Sequence, residues 1–237
     1  MTPPKPPHGM STEAIHPEQF VAAVMPLLER QDFAGLLALL KKHWQPSQIV
    51  ALLKTPYGDV RKVAALALGL VGGACCLGPL TEQLKDSDPV VHEMAEHALW
   101  SIWFRSGSDS ANCHLAKGAR AMDQRDYVEA VAHFSKSIEF EPKFAEAYNQ
   151  RAIAYYLLDQ HAESTADCLK TIELLPSHFG AWAGLGHCHV HEGRVAEALH
   201  CYRHALSINP HLECLDEACE ELKKQIAQSL GDGVAEG

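Results

Sequence analysis

Pro142, Pro176 and Pro210 stand 34 residues apart, and each closes a similar phrase: SKSIEFEP, LKTIELLP and RHALSINP. A fixed period constrains a chain more than its composition does, because a recurring unit must pack on its neighbours the same way each time. Laid out at this period, His114 aligns with Tyr148 and Trp182, and Gly118 with Ala152 and Gly186. Ala130 then aligns with Ser164 and Ala198, and Phe134 with Cys168 and Tyr202. The small residues let the first helix of a pair approach the second, and Phe134 and Tyr202 are expected to fill the gap between pairs. Each Pro ends one pair, since it lacks a donor and restrains the residue before it.

This pattern resembles the tetratricopeptide (TPR) repeat, with units at 111–144, 145–178 and 179–212. The first unit departs from it at His114 and Lys117, and the second at Arg151, Cys168 and Thr171. Beyond Pro210, the apolar residues Leu212, Leu215, Ala218, Cys219, Leu222 and Ile226 recur at helical spacing. They predict an amphipathic helix covering the open end of the stack, so that the array spans 111–230 and leaves 231–237 as a tail.

The first half repeats more faintly. A shift of 31 sets Leu53 on Leu84, Lys54 on Lys85, Val60 on Val91, Ala67 on Ala98 and Leu68 on Leu99. Each unit reads as a short amphipathic helix, a polar turn and a longer apolar helix, and this resembles HEAT repeats of the short bacterial type. Glu18–Glu29 and Phe33–His43 read as another helical pair, so 13–105 is expected to be HEAT-like. Residues 1–12 are a Pro-rich leader, expected to be disordered. The stretch Arg105–Cys113, rich in Ser and Gly, is expected to link the halves. The whole resembles bacterial proteins that join the two repeat types, which implies an all-α superhelix, or solenoid.

Charge narrows the partners. The chain carries 20 Lys and Arg against 30 Asp and Glu, and most of the acid excess falls after residue 106. No basic stripe is available for a phosphate backbone, so no nucleic acid is expected. The uncharged run Val63–Pro79 is broken by Gly69, Gly72, Gly73 and Gly78, which predicts a buried helix and a turn, and no membrane span. The first residues lack the apolar stretch of a signal peptide, so a cytoplasmic setting with reduced thiols is expected for the eight cysteines.

Chemistry-bearing clusters are few. His187 and His191 share a helix face, as do His200 and His204, but a metal site needs three or four convergent ligands. His92 and His97 are five apart, unlike the four-residue spacing of zinc peptidases. No catalytic residues, cofactor or metal site are expected, and no enzyme. The sequence instead predicts an adaptor or scaffold that holds a peptide or helix in the concave groove of the repeats. Leu115, Ala119 and Met122 are expected to face that groove from the first unit. Asn149, Gln150, Ile153 and Tyr156 are expected to face it from the second, with Gly184, His187 and His191 from the third. Asn149 and Gln150 would grip backbone, while Gly180, Ala183 and Gly184 leave room for a bulky partner side chain. Chaperone-binding TPR domains hold a terminal carboxylate with Lys, Asn and Arg. Here those places hold Leu115, Ala119, Gln150, Gly180 and Gly184, which argues against a chaperone tail as ligand. Two other functions fit less well: an accessory subunit of a lyase-like enzyme, and a His/Cys metal or redox sensor.

Overall fold

The computed structural model describes residues 15–235, and among them every regular element is helical: thirteen α-helices and one short 3-10 turn. The leader expected at 1–12 lies outside the described residues. The first half comprises α1 (Pro17–Glu29), α2 (Phe33–His43), α3 (Pro46–Leu52), α4 (Gly58–Val71), the turn Ala74–Cys76, α5 (Leu77–Gln83) and α6 (Pro89–Phe104). Three hairpins follow at the 34-residue period: α7 (Asp109–Asp123) with α8 (Tyr127–Phe140), α9 (Ala145–Leu157) with α10 (His161–Leu174), and α11 (Phe179–His191) with α12 (Val195–Ile208). Last comes α13 (Glu213–Ala235), which runs into the stretch read as a tail. No described helix is long and apolar enough to cross a membrane.

The period is written into the backbone as well as the side chains. Arg125, Asp159 and Gly193 all take positive φ, at 60°, 58° and 72°, in the turn inside each hairpin. One residue later the amides of Asp126, Gln160 and Arg194 donate to the carbonyls of Ala121, Tyr155 and His189, each at 2.9 Å. This left-handed close satisfies carbonyls that the helix end leaves open. The same device joins α1 to α2: Gln31 has φ 55°, and the Asp32 amide donates to Leu27 at 2.9 Å. Asp32 and Asp126 then cap α2 and α8 by accepting from the amides of Gly35 and Glu129.

Helix packing rests on the small residues. A Cβ added to Gly118 would lie 2.4 Å from the Phe134 ring, and one on Gly186 would lie 2.3 Å from Tyr202. The rings therefore sit against the first helix of their own hairpin, inside the pair rather than between pairs. The departures in the second unit have partners of their own. Arg151 forms a bidentate pair with Asp167 at 2.7 and 2.9 Å and also donates to Ser135 Oγ. Thr171 donates to the Asp167 carbonyl at 2.9 Å. In the first unit His114 stacks on Phe140. On the outer end, Leu215, Cys219 and Leu222 of α13 pack on Ala198, Tyr202 and Ala205, closing the stack as the periodicity predicts.

The two halves meet directly. Phe179 belongs to the core of the first half, and Leu175, Ile208 and Leu212 pack against it. Trp103 of α6 stacks on His178 at 4.1 Å, and His92 stacks on His211 at 3.5 Å. The stretch read as a linker is mostly α7, and its start is pinned. Arg105 donates to the carbonyls of Gly69 and Gly72 at the end of α4, and Asn112 donates to those of Arg105 and Gly107.

Candidate functional site

A missing ring makes the cavity in the repeats. Where the first and third hairpins place Phe134 and Tyr202, the second has Cys168, and where they have Gly118 and Gly186 it has Ala152. A thiol and a methyl do not fill the volume of an aromatic ring. The space left over is an apolar cavity of about 130 Å³, lined by Ala152, Ile153, Tyr156, Cys168, Gly184 and His187 among others. Helices α9 and α11 form its walls, and Ser164 and Cys168 of α10 form its buried floor. Ile153 and Leu157, 39% and 45% exposed, stand at the rim.

The structure sorts the residues that the sequence assigned to the groove. Ile153, Tyr156, Gly184 and His187 line the cavity, and so does Asn149. Leu115 is corrected: it is 1% exposed and belongs to the core of the first hairpin, because its helix turns that edge inward. Met122 is half-buried against the same core. Ala119 is half-buried too, and neither of them reaches the cavity. The amides of Asn149 and Gln150 do not reach out to grip a backbone. Both donate to Glu146 Oε1, at 3.3 and 2.7 Å. The other oxygen of that fully buried carboxylate receives His178 Nε2 at 2.9 Å, while His178 Nδ1 accepts from the Ala181 amide. His191 lies outside the cavity and stacks on His161 at 3.6 Å.

Desolvation lowers the His187 pKa, although much of the residue remains accessible. The ring's Nδ1 is hydrogen-bonded to Tyr202 Oη at 2.7 Å, and burial raises that phenol to about 12. Cys188 of α11 donates to Ser164 Oγ at 3.3 Å. Hydrogen bonding with Cys168 pulls the Cys188 thiol down, while the same interaction and burial push Cys168 up. Two neighbouring buried thiols cannot both ionise, so they titrate as a pair.

Among the described residues no three His, Cys, Asp or Glu side chains converge to hold a metal ion. The i,i+4 histidines turn to different neighbours: His187 to Tyr202 and His191 to His161. His204 packs on Trp182 at 4.0 Å. Four residues of the site are not among those the sequence assigns to it: Ala152, Leu157, Ser164 and Cys168. The signal for Cys168 was in the alignment, as a small residue in a column of rings.

Comparison with known proteins fits this geometry. A family profile described as tetratricopeptide repeat matches residues 180–212. Small glutamine-rich tetratricopeptide repeat-containing protein 2 of Mycosarcoma maydis is 29% identical over 114 residues, covering 48% of this chain and 32% of that protein. Hsp70-Hsp90 organizing protein of Triticum aestivum is 31% identical over 112 residues, covering 47% of this chain and 19% of that protein. The chain thus spans a third or less of the length of these two relatives. Among solved structures, the first TPR of Spaghetti (RPAP3) bound to HSP90 peptide SRMEEVD superposes with a TM-score of 0.50 at 23% identity, covering 51% of this chain and 95% of that one. The profile match places one tetratricopeptide repeat at residues 180–212, and the superposition shows that fold over 51% of the chain. The expectation that a chaperone tail is no ligand is overturned, since the organizing protein is a sequence relative and the superposed domain holds an HSP90 peptide. Missing cations do not decide the ligand, because apolar burial in a groove also contributes to affinity.

Proposed function

We propose that this chain is a non-catalytic adaptor whose repeats take an extended peptide in the groove of α9 and α11, with one apolar side chain seated in the cavity. The carrying observation is the cavity itself, opened by Cys168 and Ala152 where the neighbouring hairpins are filled by a ring. A dry apolar cavity of about 150 Å³ accepts a benzene molecule, so 130 Å³ suits a branched aliphatic or methionine side chain. The similarity to the organizing protein makes a chaperone C-terminal tail the first partner to try. This groove offers that tail apolar area and the half-exposed rim, in place of a cationic clamp. The division into a HEAT-like 13–105 and a TPR 111–230 belongs to the same proposal; its support is the short-then-long helix order of α3–α4 and α5–α6.

The test fills the cavity as the neighbouring hairpins are filled. Ala152→Gly with Cys168→Phe restores the glycine-and-ring pairing seen at Gly118–Phe134 and Gly186–Tyr202. Labelled SRMEEVD, titrated by fluorescence anisotropy, should bind the wild type. It should bind the filled variant at least about tenfold more weakly, equal to about 1.4 kcal/mol, with no loss in melting temperature. Equal binding by the two proteins would show that the cavity is not where the peptide is held.

A further inference from the structure

Gly180 lies on the first-helix face, where the sequence leaves room for a bulky side chain from a partner. In the structure that room is taken by the chain itself. A Cβ placed on Gly180 would lie 2.9 Å from the outer edge of the Trp100 indole. Trp100 also meets His178 and Phe179 edge-on, both at 5.5 Å, and Trp103 stacks on His178. Glu146, at the start of α9, is fully buried and bound to His178. At its outer end the seam is polar: Glu96 of α6 accepts from Asn209 Nδ2 at 3.0 Å. Trp103 Nε1 is buried with no hydrogen-bond partner, so the contact carries an uncompensated desolvation cost.

We propose that α6 is an intramolecular occupant of the groove: Trp100 lies where a partner's bulky side chain would go, and a peptide running from the cavity toward the starts of α9 and α11 displaces it. This rests on the groove reading above. Competition of this kind is reciprocal: whatever α6 docking costs the peptide in affinity, the peptide costs α6 in stability. The first half of the chain then gates the second.

The experiment uses the full chain, wild type and Trp100→Leu, with labelled SRMEEVD as probe. Leucine keeps apolar packing beside Trp103 but vacates the space above Gly180. Trp100→Leu should bind the peptide at least about threefold more tightly. In the wild type, saturating peptide should speed amide hydrogen exchange across Pro89–Phe104. If the peptide binds and either signature is missing, displacement is overturned and the groove reading stands. If neither protein binds while both melt cooperatively, the groove reading itself falls and takes the displacement with it.

Discussion

His187 shows how one side chain ties the site to solution conditions. Its ring is desolvated in the folded chain, which lowers its pKa from the ordinary 6.5, and desolvation lowers His114 in the same way. As pH falls through about 6.5 the unfolded chain takes up protons that the folded rings resist. Unfolded protein then binds more protons than folded, so stability is full above this range and is lost progressively into acid. Denaturant midpoints should therefore fall between pH 7.5 and 5.5, and His187→Gln should make that fall shallower. An equal or steeper fall in the variant would show that the ring is not held neutral by its surroundings. Cys168 shows the limit of a residue-by-residue reading. Its mismatch with Phe134 and Tyr202 was visible in the alignment, but the cavity it leaves depends on Ala152 and Gly184 as well, which lie in two other helices.

At the scale of elements, the hairpins were legible because their period fixes both packing and turn. Gly118 under Phe134 and Gly186 under Tyr202 are spacing made physical. The facing of the groove was less legible. Helical spacing places Leu115 and Asn149 at equivalent positions, yet Leu115 enters a local core and Asn149 is drawn onto the buried Glu146. Its partner His178 is stacked on by Trp103 of α6, more than forty residues upstream of Glu146, a contact that no repeat pattern announces. The turns themselves give a prediction. Arg125 holds the left-handed conformation that Gly193 holds in the third hairpin. An L side chain there costs about 1–2 kcal/mol, partly offset by the extra freedom glycine loses on folding. Arg125→Gly should stabilise the chain by about 0.5–1 kcal/mol in urea unfolding. A destabilised variant would mean that the Arg125 side chain contributes more than its backbone costs.

Taken as one molecule, the chain is two helical halves sharing a seam, with a groove whose floor is a packing vacancy and whose far end is filled from within. A second apolar depression, lined by Phe33, Leu66, Leu70 and Met94, lies on the first half, so apolar surface alone does not identify the binding face. What distinguishes the repeat cavity is that its neighbours above and below are filled, and that it has walls from two successive first helices and a floor from the helix between them. The most direct measurement is methyl chemical-shift mapping of the full chain with SRMEEVD. If the repeat cavity holds the peptide, Ile153 and Leu157 should show large, saturable shifts, with the methyls of Leu66, Leu70 and Met94 unmoved. Shifts centred on the first half, with Ile153 and Leu157 silent, would contradict that reading.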